Sequence, residues 1–233
     1  GEGVSVDTPR GIVCVGGAAG AAGERVSAKA FLMTWDAAAG RVGIAALPDF
    51  PYPVKLAAAA ARGEHVYVAG GWRDRPAESD VWMLDLSASA PAWQPLPALP
   101  TPREQPVAAI QNMPGPRTAL FVMGGMAARE AGLQMALEDG YAYDLAQGAE
   151  GRWTPVAPAS PRGAGTVWPL IGASAVASGD QHILVFGGSH REVWNDQVCK
   201  NATLSGDALT AFRDAYFRQP HEAFRFNRQV LAY

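Results

Sequence analysis

The chain has 233 residues, of which 48% are apolar and 18% charged, with a net charge of −3. That balance supplies a substantial core and excludes a disordered, heavily solvated chain. Without a cluster of Lys and Arg to displace counterions, it also argues against a nucleic-acid partner. No apolar run approaches the roughly 18 residues of a membrane span, 57–61 being far too short, so no membrane partner is expected. The first residue is Gly rather than Met, so the natural N-terminus is expected upstream, and the lack of a legible secretory leader therefore carries no weight.

Along the chain, short apolar strands ending in Gly-Gly recur. The first is Ile12-Val13-Cys14-Val15-Gly16-Gly17 and the second Val66-Tyr67-Val68-Ala69-Gly70-Gly71. Leu120-Phe121-Val122-Met123-Gly124-Gly125 and Ile183-Leu184-Val185-Phe186-Gly187-Gly188 follow. The second glycines, at 17, 71, 125 and 188, are spaced by 54, 54 and 63 residues. A further strand follows each pair: Phe31-Leu32-Met33-Thr34-Trp35-Asp36, Val81-Trp82-Met83-Leu84-Asp85, Tyr141-Ala142-Tyr143-Asp144 and Val230-Leu231-Ala232-Tyr233. In the middle two repeats Trp93 and Trp153 come next, before Pro-rich turns; in the first repeat Val42 or its neighbour holds that place. Small apolar stretches such as Val107 to Ile110 complete each unit.

A period of this length with a fixed strand context marks a repeat architecture. The Gly pair lets backbone take positive φ and approach a neighbour closely. The Trp offers a large ring to pack between units, and the Asp closing the next strand suits a turn. One such sheet cannot bury both faces, so the units must stack around an axis. A β-sandwich with glycine-rich turns would explain one Gly pair, not four in the same context. The expected class is therefore all-β, a kelch-type β-propeller, as a single domain over 1–233 with repeats at about 10–62, 63–115, 116–178 and 179–233. In the fourth repeat about 40 residues separate Gly188 from Val230, against roughly ten between Gly71 and Val81. This insertion, about 189–228, carries a predicted helix at 206–217. Leu209, Phe212 and Tyr216 form its apolar stripe, Asp207 could cap its start and Pro220 marks its end. It reads either as a surface insertion or as a lid over the propeller's mouth.

Four passages carry a family resemblance. Gly3-Val4-Ser5-Val6 leads to Val13-Cys14-Val15-Gly16-Gly17, and Leu99-Pro100-Thr101-Pro102-Arg103-Glu104-Gln105 is similar to a Pro-Arg-Asp-Gln turn. The helical insertion follows a Gly-Gly strand, and Phe224 to Tyr233 returns into the blade. On these grounds the chain resembles the N-acetylneuraminate epimerase (sialic acid mutarotase) family of kelch proteins, in its cyclically permuted branch. The resemblance implies a six-bladed propeller, of which about four blades are present, that interconverts the α and β anomers of sialic acid. It implies a sugar-acid partner, no cofactor and a periplasmic or secreted bacterial setting. It also places the family's catalytic Glu, with an Arg a few residues on, in a blade beyond Tyr233, so the catalytic residues of this chain are not identified by it.

Mutarotation opens and recloses a sugar ring, with a base at the anomeric hydroxyl and an acid at the ring oxygen; a substrate carboxylate calls for Arg. Glu104 is the catalytic candidate within the chain. Arg103, Arg191, Asn195 and Arg162 are the substrate-binding candidates, Arg162 because it follows Pro161 as Arg103 follows Pro102. The competing readings are an exposed turn with a fixed Arg103–Glu104 pair, and a solvated loop around Arg191 and Asn195. Other chemistries find no support. His65, His182, His190 and His221 are scattered, HExxH is absent, and Cys14 and Cys199 lack the spacing of a zinc site, so no metal is expected. The alternative function is a non-enzymatic kelch module that binds a protein or a glycan.

Overall fold

The computed structural model describes residues 1–20, 25–73, 78–128, 132–160 and 167–233. The first sheet contains β1 (Val4–Thr8) and β2 (Gly11–Val15), a short hairpin β3 (Ala18–Ala19) and β4 (Arg25–Val26) at its end, then β5 (Ala30–Asp36) and β6 (Arg41–Ala46). The second is β7 (Ala58–Arg62), β8 (His65–Ala69), β9 (Val81–Asp85) and β10 (Trp93–Leu96). The third has β11 (Val107–Met113), β12 (Arg117–Met123), the hairpin β13 (Met126–Ala128) and β14 (Gln134–Ala136), then β15 (Gly140–Asp144) and β16 (Trp153–Val156). The fourth is β17 (Ser174–Ser178), β18 (His182–Phe186) and, after two helices, β19 (Val230–Ala232). The helices are α1 (Arg191–Thr203) and α2 (Gly206–Arg218).

Each sheet is an antiparallel meander, in the orders β1-β2-β5-β6, β7-β8-β9-β10, β11-β12-β15-β16 and β17-β18-β19. The Gly-Gly strand is thus second in its sheet, not first. The sheets begin one strand earlier than repeats counted from the Gly-Gly strand, at Val4, Ala58, Val107 and Ser174, and Val107 opens the third sheet rather than closing the second unit. The first strands β1, β7, β11 and β17 meet their counterparts in neighbouring sheets and so line the axis. Crowding there favours small residues, such as the alanines of β7, and small residues give a weak strand signal in sequence.

Apolar layers between successive sheets form the core. Val13, Val15, Leu32, Val66, Val68 and Leu84 fill the first, Ala60, Ile110, Leu120 and Tyr143 the second, and Phe121, Met123, Ile183 and Val185 the third. Each outer-strand Trp ties its sheet to the one before. Trp93 Nε1 donates to Pro48 O at 3.0 Å and Trp153 Nε1 to Pro97 O at 2.8 Å. Each Gly pair ties its sheet to the loop that enters the next. Gly17 N donates to Val54 O, Gly71 N to Arg103 O and Gly125 N to Pro169 O, at 2.8, 2.8 and 2.7 Å. At Gly124, with φ 62, an added Cβ would lie 2.1 Å from Pro169 O, so the approach requires glycine.

The insertion holds two helices where one was predicted. The stripe of Leu209, Phe212 and Tyr216 is the half-buried face of α2, and Gln219 ends it before Pro220. Asp207 sits in the first turn, after the N-cap residue Ser205, and is not the cap. The unforeseen α1 lacks an apolar stripe and is held by polar fastenings instead. Asn195 Oδ1 accepts from Ala136 N at 3.0 Å and Trp194 Nε1 donates to Gln134 O at 2.9 Å, both on the β14 strand. Among the described residues no helix is long and apolar enough to cross a membrane.

Candidate functional site

The loops after the Gly pairs and the loops entering each sheet lie at one end of the propeller. There the backbone turns through positive φ at Glu2, Leu56, Gln105 and Leu170, with values of 64°, 57°, 52° and 56°. These turns are linked around the axis: Leu56 N donates to Glu2 O, Gln105 N to Leu56 O and Gly172 N to Gln105 O. The residue just before the turn pairs its backbone with the residue after a Gly pair, Lys55 with Trp72 and Glu104 with Met126. Lys55 and Glu104 therefore occupy one repeat position, side by side at the axis.

Glu104 is 4% exposed, and no described residue donates a hydrogen bond to its carboxylate. Burial pushes its pKa up to about 7, with Lys55 pulling it down and Glu2 pushing it up. Lys55 Nζ is 2.9 Å from Glu2 Oε2 and 5.0 Å above the Trp72 ring. A carboxyl titrating near neutrality, beside an ammonium, can take or give a proton at the working pH.

Arg103 has a different job. It is 0% exposed, which overturns the exposed turn with an Arg103–Glu104 pair. Its guanidinium donates to Thr101 O, Gly124 O and Asp139 O, and both oxygens of the Asp139 carboxylate lie 3.2 Å from Nη2. Burial works to raise the Asp139 carboxyl, but Arg103 and hydrogen bonds from Tyr141 and Thr101 outweigh it and hold it below its ordinary value. Arg103 is thus a clasp between the second and third sheets, its donors turned inward rather than toward a substrate. A buried charge is tolerable because the fork finds this many acceptors.

At the root of the insertion is a cavity of about 270 Å³ whose lining includes Glu138, Trp168, His190, Arg191, Arg225 and Asn227. Arg191 is in it, ion-paired to Glu138. Asn195 is one turn further along α1, its carbonyl oxygen used on Ala136. Arg162 lies outside the described residues. A larger cleft, about 840 Å³, opens at the opposite end between the hairpin turns at Arg62, 113–117 and Asp180. Exposed turn residues form most of it, and the buried charged side chains Arg103 and Glu104 lie at the other end. Sequence reasoning missed Lys55, Asp139, His190 and Arg225. Lys55 was discoverable by aligning the loops entering each sheet; Asp139 and Arg225 act through partners distant in the chain and carry no local signal.

Meandering sheets around an axis, joined by Gly-pair contacts and Trp ties, with loops converging at one end, define a kelch-type β-propeller. The solved structure of YjhT shares the fold, with a TM-score of 0.67 and 23% identity over 80% of this chain and 50% of that one. A family model described as N-acetylneuraminate epimerase matches residues 47–233. The chain belongs to the N-acetylneuraminate epimerase family. It is similar to the N-acetylneuraminate epimerase of Pasteurella multocida, 30% identical over 189 residues, and to that of Brucella suis, 28% identical over 190 residues. It spans 80% of its own length but 45% of theirs in both comparisons, so it covers about half of the curated relatives it matches.

Proposed function

We propose that the intact protein interconverts the α and β anomers of N-acetylneuraminate, in the periplasm or outside the bacterial cell. The observation that carries this reading is Glu104, a buried carboxyl at the loop-bearing end whose pKa is pushed up to about 7. In its neutral form Glu104 donates a proton to the ring oxygen as the bond from that oxygen to the anomeric carbon breaks. A base takes the anomeric hydroxyl proton, and the oxygen's electrons form the open-chain ketone. Closure on the other face of the ketone reverses both transfers and yields the other anomer. The base is assigned to the Glu that the family resemblance places in the blade after the insertion. Family membership and the names of the relatives support the substrate.

The test is NMR of freshly released α-sialic acid with the intact protein. Anomeric equilibration faster than in buffer, and slowed by Glu104→Gln, is expected; an unchanged rate with wild type overturns the reading. A second reading, a non-enzymatic module that binds a glycan or protein, is favoured by the aromatic rings the insertion exposes. Phe217 and Phe226 face solvent, and Phe226 stacks on Phe224 with centroids 5.5 Å apart. Tight glycan binding without acceleration would select it.

A further inference from the structure

Among the described residues five non-glycine residues hold positive φ. Four form the ring of turns at the axis. The fifth, Arg225 at φ 52°, caps the short turn His221–Phe224 after α2. L-residues avoid this conformation, and where surrounding structure enforces it the site often has a function. Here the left-handed turn brings Arg225 back to α1, where its Nη1 is 2.9 Å from Glu192 Oε2, and onto the lining of the 270 Å³ cavity. Arg191, the first residue of α1, lines the same cavity and pairs with Glu138 through Nη1.

Each guanidinium has five N–H donors and spends one nitrogen on its carboxylate. Both pairs are substantially solvent-exposed, so each is weakly held and exchangeable. Beside them His190 has a buried Nδ1 with no hydrogen-bond partner, and its side chain does not cap α1 although it stands at the N-cap. Asn227 is pinned by Nδ2 to Gly187 O at 3.1 Å, which fixes the floor where the insertion rejoins the Gly pair. Trp168, half-buried in the loop entering the fourth sheet, supplies an aromatic surface. Two forked cations, each paired with a carboxylate of the same lining (Glu138 or Glu192) that a ligand must displace, stand with an unpartnered imidazole nitrogen and an indole in one cavity and match a planar carboxylate on a small polar body. At about 270 Å³ the cavity lies just below the roughly 300–1,000 Å³ of drug-sized sites, which limits it to a ligand no larger than a monosaccharide-sized acid.

We infer that the cavity at the root of the insertion binds the carboxylate of a small sugar acid, with Arg225 and Arg191 as its ligands and Trp168 against its ring. The name of the acid, N-acetylneuraminate, rests on the function proposed above; the carboxylate recognition does not. Titration calorimetry of the intact protein with N-acetylneuraminate, its methyl ester and neutral N-acetylmannosamine tests it. The acid should bind about tenfold or more tighter than the ester, the loss expected when a charged hydrogen-bond acceptor is neutralised. Arg225→Asn keeps a residue tolerant of the left-handed turn and should weaken the acid by a similar factor while leaving the ester unchanged. Arg191→Gln should act in the same direction, with an unchanged melting temperature showing that both variants are folded. Equal binding of acid and ester, or an unaltered acid affinity in folded Arg225→Asn, overturns the inference. Wild type that prefers the acid but does not speed anomer exchange keeps the site and sinks the mutarotase reading. Faster exchange with an Arg225→Asn KM equal to wild type does the reverse.

Discussion

At Glu104 a carboxyl is buried with no donor among the described residues, while one residue away Arg103 is buried among five acceptor oxygens. The two respond oppositely to change. Glu104 has its folded pKa raised from 4.5 to about 7, so the native state binds the extra proton and the unfolded state does not. Stability therefore falls as pH rises from about 4.5 through about 7, and is fullest below that window. Thermal melts of the intact protein at several pH values should show this slope, and Glu104→Gln should flatten it and melt higher than wild type at pH values above the window. A slope unchanged in the variant would mean that another group titrates. Arg103→Met takes the side-chain donor from Gly124 O and removes the charge opposite the Asp139 carboxylate, which keeps its hydrogen bonds from Thr101 and Tyr141. Because the Asp139 side chain is 36% exposed and can turn to water, the cost should be about 3 kcal/mol, the low end for breaking a buried pair. Denaturant titration measures it, and a loss below about 1 kcal/mol would remove Arg103 from the clasp. The Pro-Arg-Glu-Gln turn was legible in sequence as a special site. Which of its two charged residues works inward was not, because Asp139 is 36 residues further along the chain.

Between elements, the Gly pairs do the joining. Gly16, Gly70 and Gly124 each bring an ideal Cβ position within 2.5 Å of a carbonyl in the loop entering the next sheet: Val54 O, Arg103 O and Pro169 O. Gly124→Ala should therefore cost about 3 kcal/mol, the left-handed penalty plus displacement of that loop. Gly63→Ala, at φ 58° on a hairpin tip with nothing within 4 Å, should cost only about 1 kcal/mol. Similar costs for the two would mean that the blade junction is not a close-packed contact. The same contrast explains the helices. The sequence announced α2 through its stripe and concealed α1, which is anchored by Trp194 and Asn195 on β14 rather than by a buried face. Periodicity reports burial, so a helix held by hydrogen bonds to a distant hairpin leaves no periodic trace.

On the scale of the whole chain, the two outer sheets each turn an apolar face to solvent. Trp35 is 66% and Ile44 70% exposed on the first, and Val230 is 56% exposed on the last. The interior sheet faces are covered by their neighbours. Residues 1–233 expressed alone should self-associate through these faces, as exposed apolar sheet surface does. Light scattering would reveal it, and a monodisperse monomer with cooperative unfolding would contradict it. The repeat, its all-β class and its kelch character were determined by the sequence itself, because a Gly pair after a buried strand and a Trp at a matching offset are local demands of each blade. The frame of the blades, the inward role of Arg103, the axial neighbourhood of Lys55 and Glu104, and the meeting of Arg191 with Arg225 were decided only by the tertiary structure. Each depends on loops of different sheets converging on one axis, and no spacing within a single repeat encodes that convergence.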